Sequence, residues 1–393
     1  MAGFGPEGSY GSYGSYGSYG SYGSYGSYGS YGSYGSYGSY GDGYGDPFVT
    51  GALISNRDGI VGPWNQPDAA PPELAEEDPE HLRLWSTPVR QGLYQFEMFS
   101  RLNFSFADGT ARAWHLETQQ HGPNPPGADY LPLMQMTRPG DDQFLAQLVY
   151  LDSYAALRPD RGAEILAQIS VAMPFWRSIP FIAPERTKWT IDLIFAAYAL
   201  ANFVEMRFKH ALACRRPIEY SPQVQPIIPT PLHGTLPSGH ATESFTAATV
   251  LSRLLQHAGG TYGTGEWPLM LMRQASRIAV NRTVAGVHFP VDSAAGAALG
   301  LTLGDYLVKR CLGQNEDYNA VGFDGTEFVD PAAEVDDDFY WTEFVGFDSN
   351  GHVEQKFDGR AADFLSHTTQ SLNGAQQSGI LTWLWRNAVE EWT

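Results

Sequence analysis

The sequence predicts an all-α protein, a helical bundle core flanked by irregular N- and C-terminal extensions, and three observations carry that expectation. Six stretches in the middle of the chain have helical length and apolar spacing. They are DDQFLAQLVYLDSYAALR, AEILAQISVAMPFW, TKWTIDLIFAAYALANFVEMRFKHALA, ATESFTAATVLSRLLQHA, WPLMLMRQASRIAVNR and PVDSAAGAALGLTLGDYLVKR. The chain before them is broken by turns such as PDAAPPELAEEDPE and HGPNPPGAD, and the chain after them is acidic and turn-rich. Helices that each carry an apolar stripe bury it most economically against one another.

Four parts follow along the chain. Residues 1–46 contain eleven consecutive Gly-Ser-Tyr triplets at 8–40. A tyrosine every third residue matches neither the helical nor the strand period, so this tail is predicted to be disordered. Residues 47–137 read as a loop-rich extension wrapping over the core, 138–313 as the helical catalytic core and 314–393 as an acidic extension. In the last part VGFDGTEF and VGFDSNGH are similar phrases expected to pair as a hairpin. Asp336, Asp337 and Asp338 do not fit a calcium loop and are expected to be solvated.

With 24 basic and 43 acidic residues the formal net charge is -19. That balance argues against nucleic acid and against an anionic membrane surface as partners. Cys214 and Cys311 are the only cysteines, so disulfides do not organise the fold and free thiols are expected. The opening MAGFGPEGSYGSY lacks a basic segment followed by an apolar one, which makes the cytoplasm the expected location. The longest apolar stretch, 189–206, is interrupted by Asp192, Asn202 and Glu205, so it reads as a core helix and no integral membrane segment is expected.

Three segments carry the chemistry. In KHALACRRP, Lys209 and Arg216 are seven residues apart, so on one helix both side chains would leave the same face before Pro217. In LHGTLPSGH, Pro237 precedes Ser238 at a helix start, where unpaired N–H groups attract an anion and His240 stands beside it. In NRTVAGVHFPVD, Arg282 precedes His288 by six residues, Pro290 opens the next helix, and Asp292 follows His288 by four. Each feature alone suits an ordinary structural role. Their order within one hundred residues has a single logic, the capture of an oxyanion.

These segments resemble the tripartite signature shared by vanadium-dependent haloperoxidases and type-2 phosphatidic acid phosphatases, including soluble bacterial acid phosphatases. The resemblance covers about 209–292 and implies a helical core of the vanadium haloperoxidase and acid phosphatase type. It implies that Lys209, Arg216 and Arg282 neutralise equatorial oxygens, that Ser238 and the Gly239 amide donate hydrogen bonds, and that His240 is the apical acid–base. His288 would bind vanadium in a haloperoxidase or attack phosphorus in a phosphatase, with Asp292 holding its ring. One departure stands out: Asn281 precedes Arg282 where the family usually has serine, and Ser276-Arg277 is out of register.

The reading favoured from sequence is a bacterial-type vanadium haloperoxidase with vanadate as cofactor, oxidising bromide or iodide with hydrogen peroxide to hypohalous acid that reaches a small organic nucleophile. His233 carries the halide preference. By resemblance, bromide-using haloperoxidases often have histidine seven residues before the Pro-Ser-Gly-His histidine, where chloride-using ones tend to have phenylalanine. The short gap between the second and third segments instead suits the alternative, a soluble acid phosphatase hydrolysing phosphomonoesters through a phosphohistidine at His288. A third reading, from another class, is a scaffold that forms a homo-oligomer through the tyrosine tail.

Overall fold

The computed structural model describes residues 47–118, 127–170, 172–263, 265–329, 337–349, 351–374 and 377–393. The Gly-Ser-Tyr tail and Asp336 lie outside the described residues. The chain divides into two units, Met1–Leu93 and Tyr94–Thr393. In the first, helix α1 (Pro47–Ile60) buries none of its side chains, and a short 3-10 turn at Pro79–Leu84 is capped by Asp78, which accepts the Glu80 N–H at 3.0 Å.

The second unit holds the three chemistry-bearing segments. After α2 (Thr87–Phe99) come strands β1 (Leu102–Ala107), β2 (Thr110–Thr118) and β3 (Ala128–Thr137). Helices α3 (Asp141–Ala146), α4 (Leu148–Ala155), α5 (Arg158–Ala167), α6 (Met173–Arg177), α7 (Lys188–Leu212), α8 (Pro217–Tyr220), α9 (Gly239–Ala258), α10 (Glu266–Val284) and α11 (Pro290–Leu312) follow. The chain then forms β4 (Glu316–Asp324), α12 (Gly325–Phe328), β5 (Val345–Phe347), β6 (Val353–Gln355), α13 (Ala361–Phe364), β7 (Leu365–Leu372) and α14 (Gly379–Glu390).

The all-α expectation is therefore wrong. A mixed five-stranded sheet runs in the order β1-β2-β3-β4-β7, with β3 and β4 parallel and the other neighbours antiparallel, and β5 pairs β6 in a second sheet. Both extensions expected to be irregular supply its strands. The strands escape a pattern reading because their buried positions are not a run of β-branched residues: β2 turns Ala111, Ala113 and His115 inward, and β3 contains Pro132. The expected hairpin fails as well. VGFDGTEF enters β4, between β3 and β7, whereas the Val-Gly-Phe of VGFDSNGH forms β5 and pairs with β6. Asp338 is buried and Asp337 half-buried; they accept the Tyr154 hydroxyl at 2.8 Å and the Tyr150 hydroxyl at 2.6 Å, and so tie this segment to α4.

The sheet rests on α11, where buried His115 Nδ1 meets the Tyr306 hydroxyl at 2.7 Å and Arg310 donates to the same oxygen at 3.1 Å. At the other end of the core, Glu391 accepts the Trp189 and Thr190 N–H groups at 2.8 Å each, capping α7. A window within Lys188–Tyr220, with mean hydropathy 1.2, is long and apolar enough to cross a membrane by length and composition, and 67% of it is buried inside the protein. Cys214 and Cys311 are both buried free thiols.

Helix α9 lies in the middle, packed on α7, α10 and α11. Its approach to α11 is set by three glycines four residues apart. A Cβ on Gly296 would come within 2.7 Å of the Ser238 carbonyl, one on Gly300 within 2.5 Å of the Thr242 carbonyl, and one on Gly304 within 2.6 Å of Thr249 Cβ. The two helix starts are consequently adjacent, and the Ser238 N–H donates to the Asp292 carbonyl at 2.8 Å. We expect Gly300→Ala to cost ~1–3 kcal/mol of stability through overpacking against backbone. Gly162→Ala in α5, where a Cβ meets nothing within 4 Å, should be neutral or stabilising. Thermal melts of the two variants check this; equal melting temperatures would contradict the close-approach reading.

Candidate active site

Helix ends deliver the functional side chains. Ser238 caps α9 in extended backbone, and its side chain accepts from the Ala241 N–H at 3.5 Å, leaving the first-turn amides of Gly239 and His240 without intrahelical acceptors. Gly239 lets the carboxyl of Glu205 approach the helix start closely: a Cβ there would lie 2.5 Å from Glu205 Oε1, so Glu205 would have to shift. Gly286, between Arg282 and His288, has φ of 84°, and a Cβ there would also meet Arg158 Nη2 at 2.9 Å. This turn swings His288 to the mouth of α11.

Lys209 and Arg216 do not leave one helix face, which corrects the sequence expectation. α7 ends at Leu212, Ala213 turns left-handed with φ of 49°, and its N–H satisfies the Lys209 carbonyl. Arg216 lies beyond, in the extended conformation favoured for a residue preceding proline. The two side chains still converge. Lys209 Nζ donates to the carbonyls of Gly234 at 3.3 Å, Thr235 at 3.1 Å and Pro237, which employs all three ammonium protons. Lys209 thus holds the loop that carries Ser238. Burial, with Arg216 nearby, pushes its pKa down to about 8.

Arg216 fixes the chemistry of His288. Its Nη1 donates to the Val287 carbonyl at 2.9 Å and to His288 Nε2 at 3.0 Å. A guanidinium only donates, so Nε2 presents its lone pair and Nδ1 carries the proton. That proton faces Asp292 Oδ2 at 3.0 Å, an oxygen that also accepts the Thr235 hydroxyl at 2.5 Å and the Phe289 N–H at 2.8 Å. Burial, then Arg216 and Lys209, hold the His288 pKa well below its ordinary value, so the ring is neutral. Burial pushes Asp292 up to about 6 despite its donors. His233, expected to line a halide entrance, is exposed and bonds Arg216: its carbonyl accepts from Nε at 3.0 Å and its Nδ1 from Nη2 at 3.1 Å.

His240 and Arg282 form the other side. His240 Nε2 bonds the Gln168 carbonyl at 2.7 Å, and burial, with Arg282, pushes its pKa down to about 3. Arg282 is 1% exposed. Its Nη2 donates to Gln168 Oε1 at 3.0 Å, while Nε and Nη1 have no hydrogen-bond partner. Two unpaired buried guanidinium nitrogens cost ~1–3 kcal/mol each unless an anion meets them. The arrangement can hold a tetrahedral oxyanion between a neutral imidazole lone pair and a second imidazole.

Sequence reasoning missed several participants. Glu205 is buried one turn before Lys209 on α7, with Oε2 unpaired, and burial and Glu243 push its pKa well above the usual range. Burial also pushes Glu243 up to about 7. An acid four residues before a site lysine in an otherwise apolar helix was the available signal for Glu205. Thr235 and Gln168 had none, because their roles arise from tertiary contact. Among the described residues no group of three or more His, Cys, Asp or Glu is placed to hold a metal ion.

Residues 191–315 match the family model of the PAP2 superfamily. Decaprenylphosphoryl-5-phosphoribose phosphatase of Mycobacterium tuberculosis, in strains CDC 1551 / Oshkosh and ATCC 25618 / H37Rv, is 32% identical over 111 residues, covering 28% of this chain. The match spans about half, 52%, of that relative's length. A transmembrane PAP2 type phosphatidylglycerolphosphate phosphatase from Bacillus subtilis aligns at 15% identity and a TM-score of 0.25, covering 42% of this chain and 94% of the other. Neither the apolar helix nor these comparisons confirm the cytoplasmic expectation. The pKa directions yield a prediction for tungstate, a tetrahedral dianion near pH 7. Its two negative charges should raise the pKa of His240, Asp292 and Glu243 together, so binding takes up protons. Calorimetry at about pH 6.5 in buffers of different ionisation enthalpy reads this directly; net proton release would contradict the site.

Proposed function

We propose that this chain, whose residues 191–315 are a PAP2-superfamily segment, hydrolyses phosphomonoesters through a phosphohistidine at His288. The observation that carries the reading is Arg282, buried with Nε and Nη1 unpaired and joined through Gln168 to His240. A phosphoryl dianion meets those nitrogens and the first-turn amides of α9. Its charge raises the His240 pKa, so that His240 enters the reaction protonated.

The His288 Nε2 lone pair attacks phosphorus, which requires the hydrogen bond from Arg216 Nη1 to pass from the ring nitrogen to a phosphoryl oxygen. The N–P bond forms as the ester P–O bond breaks, and His240 gives its proton to the leaving oxygen. Asp292 stabilises the positive charge that develops on the ring by holding Nδ1–H. Water then attacks phosphorus, loses its proton to His240 and releases His288 as the N–P bond breaks. Lys209 keeps the Ser238 loop in place through its three carbonyl bonds.

Vanadate has the shape of phosphate and would be held by the same residues, Arg282, the α9 amides and His288; in a haloperoxidase it would supply Lewis-acid activation of peroxide. The comparisons support the phosphatase alternative over that reading, and His233 has a role as an Arg216 partner that needs no halide. The relatives are phosphatases by name, and only the class of bond is carried over from them.

The test sets the two chemistries side by side. Purified protein should release phosphate from p-nitrophenyl phosphate, with orthovanadate as a competitive inhibitor, and His288→Ala should lose at least about 10³-fold in kcat. With orthovanadate, hydrogen peroxide and bromide it should not brominate a phenolic dye. Bromination without phosphate release would overturn the proposal.

A further inference from the structure

Gln168 is fully buried and is the first residue after α5. Every polar atom of its side chain and its carbonyl is spent on the site. The carbonyl, one of the last of α5 and hence without an intrahelical donor, accepts His240 Nε2 at 2.7 Å. Oε1 accepts Asn281 Nδ2 at 2.9 Å and Arg282 Nη2 at 3.0 Å, and Nε2 donates to Glu164 Oε1 at 3.1 Å. The amide orientation is dictated by its partners: two groups that only donate face Oε1, and a carboxylate faces Nε2.

We infer that Gln168 is a positioning residue that aims two members of the oxyanion site at once, Arg282 through its side-chain oxygen and His240 through its carbonyl. This rests on the phosphatase reading. The bonds from Nη2 to Gln168 Oε1 and to the Ile165 carbonyl, at 3.0 Å and 3.4 Å, fix the rotation of the guanidinium and leave Nε and Nη1 as the two nitrogens without partners. On His240, a carbonyl can only accept, so Nε2 carries the proton and Nδ1 is the nitrogen that exchanges protons with the leaving group.

The same network accounts for the unusual Asn281. Its Nδ2 reaches both Glu164 Oε1, at 2.9 Å, and Gln168 Oε1, while its Oδ1 accepts Arg161 Nη1 at 2.8 Å. A serine could not span these partners. Arg277, half of the out-of-register Ser-Arg pair, anchors the outer end by gripping Glu164 with Nε and Nη2, at 2.8 Å and 2.7 Å. Support for Arg282 therefore comes from α5 as well as from its own helix.

The experiment uses the full chain, p-nitrophenyl phosphate as substrate and orthovanadate as probe. Gln168→Met should raise the inhibition constant for orthovanadate at least tenfold. Gln168→Asn, which keeps a polar group in the core but withdraws its oxygen, should do the same, and it serves if the methionine variant does not fold. In an Arg282→Ala background, Gln168→Met should add less than a twofold change, because its effect passes through Arg282. An unchanged constant in both Gln168→Met and Gln168→Asn, or a full tenfold loss in the Arg282→Ala background, overturns the inference while leaving the phosphatase reading intact. Nitrogen NMR of His240 should report the Nε2–H tautomer, and the other tautomer removes the His240 arm. A wild-type protein that neither releases phosphate nor binds orthovanadate removes the phosphatase reading and this inference with it.

Discussion

Three buried cations without carboxylate partners are the constraint on which the site depends. Lys209, Arg216 and Arg282 are each no more than 3% exposed, and among the described residues none forms an ion pair. The acids nearby offset them only in part. Burial pushes the pKa values of Glu205, Glu243 and Asp292 upward, which disfavours their charged forms. A chain of net charge -19 thus keeps a local excess of positive charge inside its core. Backbone carbonyls, the Gln168 amide and two histidine nitrogens orient the guanidinium and ammonium groups, and a dianion completes the balance.

Helix packing makes that arrangement possible. The glycines of α11 let α9 settle against it closely enough for the Ser238 N–H to reach the Asp292 carbonyl, so the anion-binding start of α9 and the His288 mouth of α11 face one site. α7 brings Lys209 to the loop entering α9, and α5 brings Gln168 to His240 and Arg282. Each helix contributes one terminus or one turn, and the middle of each is ordinary apolar core. The mixed sheet lies against α11 and stiffens the scaffold without contributing any of these site residues.

The helical core reads well from sequence because its helices have long apolar spacing and clear punctuation: proline before Ser238, proline after Phe289, and glycine after Leu312. The contact between His288 and Asp292 reads equally well, since four residues at a helix start bring the two groups together. Tertiary convergence does not read from spacing. Lys209 and Arg216 converge although the helix between them ends at Leu212, because Ala213 and Pro217 redirect the chain. The five-stranded sheet escaped notice for a related reason. Its β3 and β4 lie on opposite sides of the helical region in sequence, and their pairing is set by the docking of that whole region. The position of His233 matches a family pattern in sequence, and its contact with Arg216 becomes visible only in three dimensions.

The central claim is that His288 Nε2, kept unprotonated and facing Arg216, takes the phosphoryl group. Rapid acid-free quenching with a ³²P-labelled phosphomonoester, followed by peptide mapping under alkaline conditions, tests it most directly. The expected result is a transient, acid-labile label on His288 that forms faster than steady-state turnover and is absent in His288→Ala. Turnover with no label on His288, or with the label on another residue, would contradict it.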